Sequence, residues 1–163
     1  MDEEIRELKD NIYSAFSNTA SSIGYDEIHG RILAALMLNG GSLTLQELAE
    51  ETGYSSSSIS LSLDLLEVLE MIRKVKKEGD RKLYVEIEGS LLEGLKKAIL
   101  IRIQKNITET LDSFDDYEER LEEMDSEKAD KIIDNLERLK KNIENLEEYV
   151  ENLAEVEIPE DKK

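Results

Sequence analysis

Two short stretches of the chain carry side chains suited to contacting a nucleic acid. Six serines fall within residues 55–62, and six basic side chains with two acidic ones fall within residues 71–82. Serine hydroxyls are short donors and acceptors that let a helix N-terminus approach phosphates and base edges, and Lys and Arg neutralise phosphates. The candidate contacts are Ser55, Ser56, Ser57, Ser58, Ser60, Arg73, Lys74, Lys76, Lys77, Arg81 and Lys82.

The net charge of the whole chain disfavours binding to nucleic acid. The net charge of -18 argues against any general attraction to phosphates or anionic membranes, so DNA binding depends on the local excess of four positive charges in residues 71–82. Without Cys, and with His29 alone, the chain has no thiolate nucleophile, disulfide or zinc cluster. Acidic runs in residues 115–123 are typical of solvated helix faces. We therefore expect no enzyme activity, cofactor or metal.

Length and composition predict a mostly helical domain. The 163 residues correspond to about one domain, and 37% charged residues with one Pro and eight Gly favour helix over loop-rich structure. Apolar runs are far shorter than the roughly 20 residues that span a bilayer, and residues 1–10 are too acidic for a signal peptide. The expectation is a soluble, cytoplasmic protein with no membrane partner.

Local patterns place the serines and the basic residues on a helix-turn-helix followed by a hairpin. Thr44 and Glu47 have the spacing of a capping box that starts a short helix ending near Gly53. One of Ser55 to Ser57 can cap the next helix, whose inward residues are Ile59, Leu63, Leu66 and Leu69. Alternation after Met71, with a turn at Gly79, predicts a β-hairpin.

Further helices flank this segment. The first, residues 2–23, carries an apolar face, and a second, capped by Asp26, runs to Asn39. A long helix follows Ser90, with a kink or break expected at residues 112–116, and the last begins near Ser126. The apolar residues of the last helix form an a/d seam that fits a two-stranded coiled coil or packing on the preceding helix. The candidate dimerisation residues are Ile5, Leu8, Ile12, Phe16, Ile132, Leu136, Leu139, Ile143, Leu146, Val150 and Leu153.

Two stretches resemble a known family. Residues 53–67 resemble the turn and recognition helix of MarR-type regulators, where Ser and an aliphatic residue open the helix and Leu-x-x-Leu-Glu follows. Residues 77–84 are similar to the wing of the GbsR branch, in which Gly-Asp-Arg-Lys precedes an aromatic residue, here Tyr84. The resemblance implies a mainly α fold: a winged helix-turn-helix domain with a two-stranded wing plus long N- and C-terminal dimerisation helices.

The resemblance also implies a domain organisation. Residues 1–24 would form an N-terminal dimerisation helix, and residues 25–89 the winged helix-turn-helix DNA-binding domain. Residues 90–158 would form long, coiled-coil-like dimerisation helices, and residues 159–163 a disordered tail.

The function implied by the resemblance is that of a homodimeric, sequence-specific transcription regulator, acting as a repressor on double-stranded DNA. Its serine-rich helix would lie in the major groove and its basic wing in the minor groove. Arg81 would enter the minor groove, oriented by Asp80, while Lys76, Lys77 and Lys82 contact phosphates. Some relatives bind small organic effectors, so an effector of unidentified chemistry is expected at the family level.

The recognition helix departs from the family pattern and leaves an alternative open. Relatives often carry Lys, Arg or Asn there, whereas this helix carries Asp64, Glu67 and Glu70. The alternative is a winged-helix protein-interaction module whose acidic helices recruit a partner and which does not read DNA sequence. A partner that survives nuclease treatment in a pull-down would favour this alternative.

Overall fold

The computed structural model describes residues 2–124 and 126–159, in which six helices and three strands form the mainly α winged helix-turn-helix fold expected from the sequence. The chain divides into two compact units between residues 95 and 96. The last four residues of the expected disordered tail lie outside the described residues. The elements are α1 (Asp2–Ser22), α2 (Glu27–Leu38), β1 (Ser42–Thr44), α3 (Leu45–Thr52), α4 (Ser56–Val68), β2 (Ile72–Lys76), β3 (Leu83–Ile87), α5 (Leu91–Glu122) and α6 (Glu127–Glu155).

Capping interactions define the start of α3 and the turn that follows it. Thr44 Oγ1 accepts the Glu47 amide at 3.2 Å, and Glu47 Oε2 accepts the Thr44 amide at 2.7 Å, which confirms the capping box. The helix ends at Gly53, which has a φ of 77° that a side chain would disfavour. These local bonds set the direction in which the chain enters α4.

The core of the first unit lies between α2, α3, α4 and the sheet. The predicted inward face of α4 is confirmed, since all four of its residues are buried. Burial of such aliphatic side chains stabilises the domain by about 1.5 to 3 kcal/mol each. The side chains with at most 1% of their surface exposed include Ile32, Leu36, Leu48, Ile59, Leu63, Leu66, Ile72 and Val85.

The sheet contains one more strand than the predicted two-stranded wing. Strands β2 and β3 form the predicted hairpin, and β1 pairs with the outer side of β3, giving the antiparallel order β1-β3-β2. Strand β1 has three residues, too few for alternation to reveal it. Its pairing of Leu43 with Val85 joins the hairpin to the start of α3.

One local prediction, the Asp26 cap, is confirmed in position only, and another, a division of α5, is wrong. Asp26 occupies the N-cap position of α2, but its side chain makes no capping hydrogen bond. Helix α5 runs without a break through residues 112–116. Charged residues lower helix propensity only slightly when they are exposed, and no Gly or Pro lies between Leu95 and Glu122 to interrupt the backbone bonds.

Helix α1 packs on α2 through a face other than its predicted apolar one. Tyr13, Ser17 and Ala20 are buried, at spacings of four and three residues. The helices approach closely because α2 has Gly30 at the crossing, where a Cβ would overlap the backbone carbonyl of Phe16. The predicted face is therefore left on the outside of the first unit.

A polar network ties α1 to α3. The Tyr13 hydroxyl donates to Glu51 Oε2 at 2.6 Å, and Lys9 Nζ donates to the same oxygen at 2.8 Å. The Lys9 hydrogen bond and then the Tyr13 hydrogen bond lower the pKa of Glu51 below its ordinary value. Arg31 adds a link from α2 by donating to the Thr52 carbonyl at 2.9 Å. The network holds α1 against the helix-turn-helix.

Replacing Glu51 with Gln is expected to destabilise the protein at neutral pH by about 1 to 2 kcal/mol, because Lys9 and Tyr13 lose a charged acceptor. Since folding lowers the pKa of Glu51, its contribution is full above the unfolded-state pKa and disappears as the pH falls through the folded-state value. Urea unfolding should therefore separate the wild type from Glu51→Gln by more at pH 7 than at pH 3, which lies below the ordinary glutamate pKa. Glu50→Gln, at an exposed neighbouring position, is the control. An equal loss at both pH values would contradict the ionic origin.

The second unit contains most of α5 together with α6, which run antiparallel. Lys140 of α6 contacts Asp115 and Glu118 of α5, each at 2.5 Å, and Lys96 Nζ donates to the Val156 carbonyl. The Asp115 carboxylate, and then that of Glu118, raise the pKa of Lys140 above its ordinary value. These contacts join the C-terminal part of α5 to the middle of α6, and the start of α5 to the end of α6.

The heptad seam of α6 divides between two faces. Leu136 and Val150, both at a positions, are 8% and 2% exposed, and Leu136 lies one turn from Lys140, which contacts α5. The d positions lie on the outside, between 36% and 52% exposed. We call these d residues the α6 stripe; they are Ile132, Leu139, Leu146 and Leu153.

Candidate nucleic-acid interface

The serine cluster at the start of α4 combines a structural and an exposed part. Ser55 is the N-cap, and its Oγ accepts the Ser58 amide at 3.1 Å and lies 2.8 Å from Ser58 Oγ. This confirms that one of Ser55 to Ser57 caps the helix. Ser56, Ser57 and Ser60 are exposed. Of the five predicted serine contacts, Ser56 and Ser60 present hydroxyls outside the cap, whereas Ser57 Oγ lies 3.0 Å from the capping Ser55 Oγ.

Helix α4 also exposes apolar side chains that were not among the candidates predicted from the sequence. Leu61 is 77% exposed and Val68 is 63% exposed. The signal was present in the helical period, because the inward set that begins at Ile59 and Leu63 leaves Leu61 on another face. The outer surface of this helix thus offers serine hydroxyls, carboxylates and one large apolar group near its N-terminal half.

Half of the predicted basic contacts are engaged by carboxylates. Arg73 donates to Glu86 Oε2 at 2.9 Å, and Lys77 Nζ lies 3.8 Å from Glu86 Oε1. Arg73 lies directly opposite Glu86 in the β2–β3 register, which explains this pair. The Arg73 hydrogen bond lowers the pKa of Glu86. Lys77 also lies 3.8 Å from the centre of the Tyr84 ring.

Lys74 is held by the recognition helix itself. Its Nζ lies 2.5 Å from Asp64 Oδ1 and 3.1 Å from Glu67 Oε2, and these hydrogen bonds, Asp64 first, raise the pKa of Lys74. We call the three carboxylates Asp64, Glu67 and Glu86 the acidic clamp. They reduce the local excess of four positive charges in residues 71–82 to one.

The wing tip presents its cations without such pairing. Within residues 2–124 and 126–159, Lys76, Arg81 and Lys82 make no ion pair, and all three are exposed. Asp80 is engaged elsewhere: its carboxylate accepts the Lys82 amide at 2.9 Å and the Tyr84 hydroxyl at 2.8 Å.

These two Asp80 bonds, that of the Lys82 amide first, lower the Asp80 pKa. Through these bonds Asp80 joins the turn to β3, and the expectation that it orients Arg81 stays a prediction. Asp80 shapes the loop that carries Arg81.

Folding brings the wing tip and the start of α4 to one place. A hollow of about 340 Å³ is lined by Ser56 of α4, by Arg81 and Lys82 of the wing, and by the beginning of α3. In sequence, Ser56 and Arg81 are 25 residues apart. An exposed helix N-terminus beside two unpaired cations is an arrangement that favours an anion such as a phosphate.

The predicted dimerisation residues fall into three groups by burial: exposed, buried and half-buried. Ile5, Leu8 and Ile12 of α1 are 40–57% exposed, and the α6 stripe is exposed along its length. Leu136 and Val150 are already buried within the single chain, and their assignment to a dimer contact stays a prediction. Phe16 and Ile143 are half-buried and stay predictions.

Other site types receive no support from the described residues. No group of three or more His, Asp or Glu residues is placed to hold a metal ion in the part of the chain that the structure describes. Within the same part, no helix is long and apolar enough to cross a membrane.

Comparison with known proteins gives a family match for the segment that contains the helix-turn-helix and the wing hairpin. Residues 23–83 match the model of the MarR family. The crystal structure of a transcriptional regulator superposes with a TM-score of 0.61 at 18% identity, over 90% of this chain and 95% of that one, which shows a shared fold. No curated protein matches the chain.

Two further solved structures are more distant. An organohalide-sensing transcriptional regulator in its ligand-free form has a TM-score of 0.42 at 18% identity, covering 98% of this chain and 87% of that one. A transcriptional regulator from Thermotoga maritima has a TM-score of 0.42 at 21% identity, covering 88% and 94%. The GbsR branch is not distinguished by these matches and stays a prediction.

Proposed function

Because residues 23–83 match the model of the MarR family and the chain has a winged helix-turn-helix fold, we propose that the protein is a homodimeric, sequence-specific DNA-binding transcription regulator that acts as a repressor. The observation that carries the proposal is the hollow shared by Ser56, Arg81 and Lys82. The N-terminus of α4 enters the major groove, and Arg81 reaches the adjacent minor groove. A bound dimer represses by covering promoter DNA.

The proposed phosphate contacts come from the wing-tip cations. Lys76 and Lys82 are exposed and contact phosphates, while the exposed Arg81 neutralises phosphates from within the minor groove, so that each protomer supplies three cationic contacts. Two protomers give about six contacts, and affinity then falls about a thousandfold between 50 mM and 200 mM salt. The acidic clamp pairs with the other three cations and keeps them from adding to the number of phosphate contacts. The few free cations are in keeping with a chain whose net charge is -18.

Dimerisation is proposed through the α6 stripe and the outer face of α1. The α6 stripe places four aliphatic side chains at seven-residue intervals on the outside of α6. Such a row has the spacing that packs against another helix, and a second copy supplies an identical one. Each burial of a leucine or isoleucine contributes up to about 1.5 to 3 kcal/mol.

The test of the proposal is a fluorescence-anisotropy titration. The duplex upstream of the protein's own gene is compared with a scrambled duplex of the same composition at about 50 mM and 200 mM salt. Preferential binding of the first duplex that weakens steeply with salt is expected. Failure to bind either duplex at the lower salt concentration would overturn the proposal.

Arg81→Ala is expected to weaken DNA binding about tenfold at low salt and to reduce the log–log salt slope by about one for each phosphate that is no longer neutralised. Arg81 forms no ion pair within the described residues, so its removal leaves no carboxylate unpaired. Lys128→Ala, which removes one exposed charge from α6, is the matched control. Equal titration curves for Arg81→Ala and the wild type would contradict the wing contact.

A second candidate function has its own supporting observation. The exposed Leu61 and Val68, with Asp64 and Glu67 beside them, form an apolar and acidic surface of the kind that binds a basic protein. A pull-down from nuclease-treated lysate separates the two functions. A partner retained without nucleic acid, together with no binding to DNA, would favour the protein-interaction module.

A further inference from the structure

We propose that Leu61 reads DNA sequence by packing against the 5-methyl group of a thymine in the major groove, so that each half-site favours an A·T pair at one position. The inference rests on the proposed function and adds the class of base pair that the recognition helix selects. It depends on the position and exposure of one side chain and on the charges around it.

Leu61 is the most exposed of the large apolar side chains that the structure describes, at 77%. It lies in the second turn of α4, one turn after Ser57 and about one turn before Asp64. The N-terminal half of a recognition helix is the part that meets base edges. In this half the outer face therefore carries small hydroxyls and one large aliphatic group.

The chemistry of the groove selects the partner of this group. Leucine has no donor or acceptor, and the apolar feature that bases display in the major groove is the thymine methyl group. Ser57 and Ser60 hydrogen-bond to either partner of a base pair and discriminate poorly by themselves. Leu61 therefore supplies a preference that the serines of α4 do not.

At the N-terminal end of α4, charge favours DNA over a protein, while Asp64, one turn after Leu61, is held by Lys74. Ser56 at the start of the same helix shares a hollow with Arg81 and Lys82, which make no ion pair within the described residues. Phosphates bound there would bring base edges toward the exposed face that includes Ser57 and Leu61. An acidic protein surface could pair with these cations, but it would offer Leu61 no apolar group at a fixed distance from them, as a thymine methyl group in DNA does.

The experiment removes only the methyl group. A duplex selected from a random pool by the wild-type protein is resynthesised with deoxyuridine in place of each thymine in turn, and affinities are measured by anisotropy. At one thymine of each half-site the substitution should weaken wild-type binding about fourfold, and substitution in both half-sites by about tenfold or more. Substitution at other thymines should have little effect.

Variants assign the effect to the side chain. Leu61→Ala should lose about the same affinity on the thymine duplex and should bind the thymine and deoxyuridine duplexes equally, as a double-mutant cycle requires. Val68→Ala, at the other exposed apolar position of α4, should retain the wild-type discrimination. Because Leu61 is exposed, its truncation should leave the thermal melting curve unchanged.

The outcomes separate this inference from the proposed function. Equal wild-type binding to the thymine duplex and to every deoxyuridine duplex would overturn the Leu61 contact while leaving DNA binding intact. Discrimination that persists in Leu61→Ala would also overturn it, because another group then reads the methyl. If no duplex is enriched or bound, the proposed function and this inference both fail.

Discussion

Leu139→Glu combined with Leu146→Glu is expected to convert a dimer that sediments at twice the chain mass of 18.6 kDa into a single chain. Both residues belong to the α6 stripe and are 51% and 43% exposed in the single chain, so the substitutions leave its own core intact. In a dimer they would place two carboxylates of each protomer in an apolar seam, where unpaired charges are strongly disfavoured. Sedimentation velocity at micromolar concentration measures the result.

Dissociation of the dimer is also expected to reduce DNA affinity at least a hundredfold. The wing-tip cations of one protomer supply about half of the phosphate contacts, and the second protomer no longer binds at a high effective concentration. Lys141→Glu is the matched control, because it changes the charge of each chain by the same two units at an exposed position outside the α6 stripe. A double variant that remains dimeric would show that the α6 stripe is not the interface. A wild-type mass of one chain would remove the homodimer from the proposed function.

Neutralising the acidic clamp is expected to strengthen DNA binding about a hundredfold at low salt. In Asp64→Asn, Glu67→Gln and Glu86→Gln combined, Lys74, Arg73 and Lys77 are released from their ion pairs and become available to phosphates. The substitutions also remove three negative charges from the side of the molecule that would approach DNA. The log–log salt slope should become steeper by about two to four for the dimer.

A control variant distinguishes release of the clamped cations from a general effect of net charge on DNA affinity. Glu137→Gln, Glu144→Gln and Glu148→Gln combined remove the same charge from exposed positions of α6 and should have little effect. The amide replacements preserve side-chain shape, and each ion pair of the clamp has a largely solvated member and contributes at most about 1 kcal/mol, so the clamp variant should melt only moderately below the wild type and the α6 variant close to it. Equal increases in affinity for the two variants would show that the clamp does not restrain its cations.

The wing register illustrates how far the sequence could predict the site. A turn at Gly79 and Asp80 places Arg73 opposite Glu86, and the structure has this pair. The pairing of Lys74 with Asp64 and Glu67 joins a strand to a helix and depends on how the hairpin packs beside α4. No spacing rule connects those residues, so the number of unpaired cations could not be derived from composition.

Features governed by near neighbours could be predicted from the sequence. These features are the Thr44–Glu47 capping box, the Ser55 cap, the inward face of α4 and the β2–β3 hairpin. Each depends on residues that are near one another in the sequence, within a helix or across one tight turn. Because such interactions have a fixed period or spacing in the sequence, they can be predicted before the fold is known.

Some helices have more than one face that could pack against the rest of the protein. The packing of the whole chain decides which of these faces becomes buried. Helix α1 has two faces that could pack, and the close approach at Gly30 selects the one with Tyr13. The seam of α6 similarly divides into a buried side and the exposed α6 stripe. Burial and ion pairing depend on contacts between segments distant in sequence, whereas helical periodicity specifies that a face is apolar without specifying what covers it.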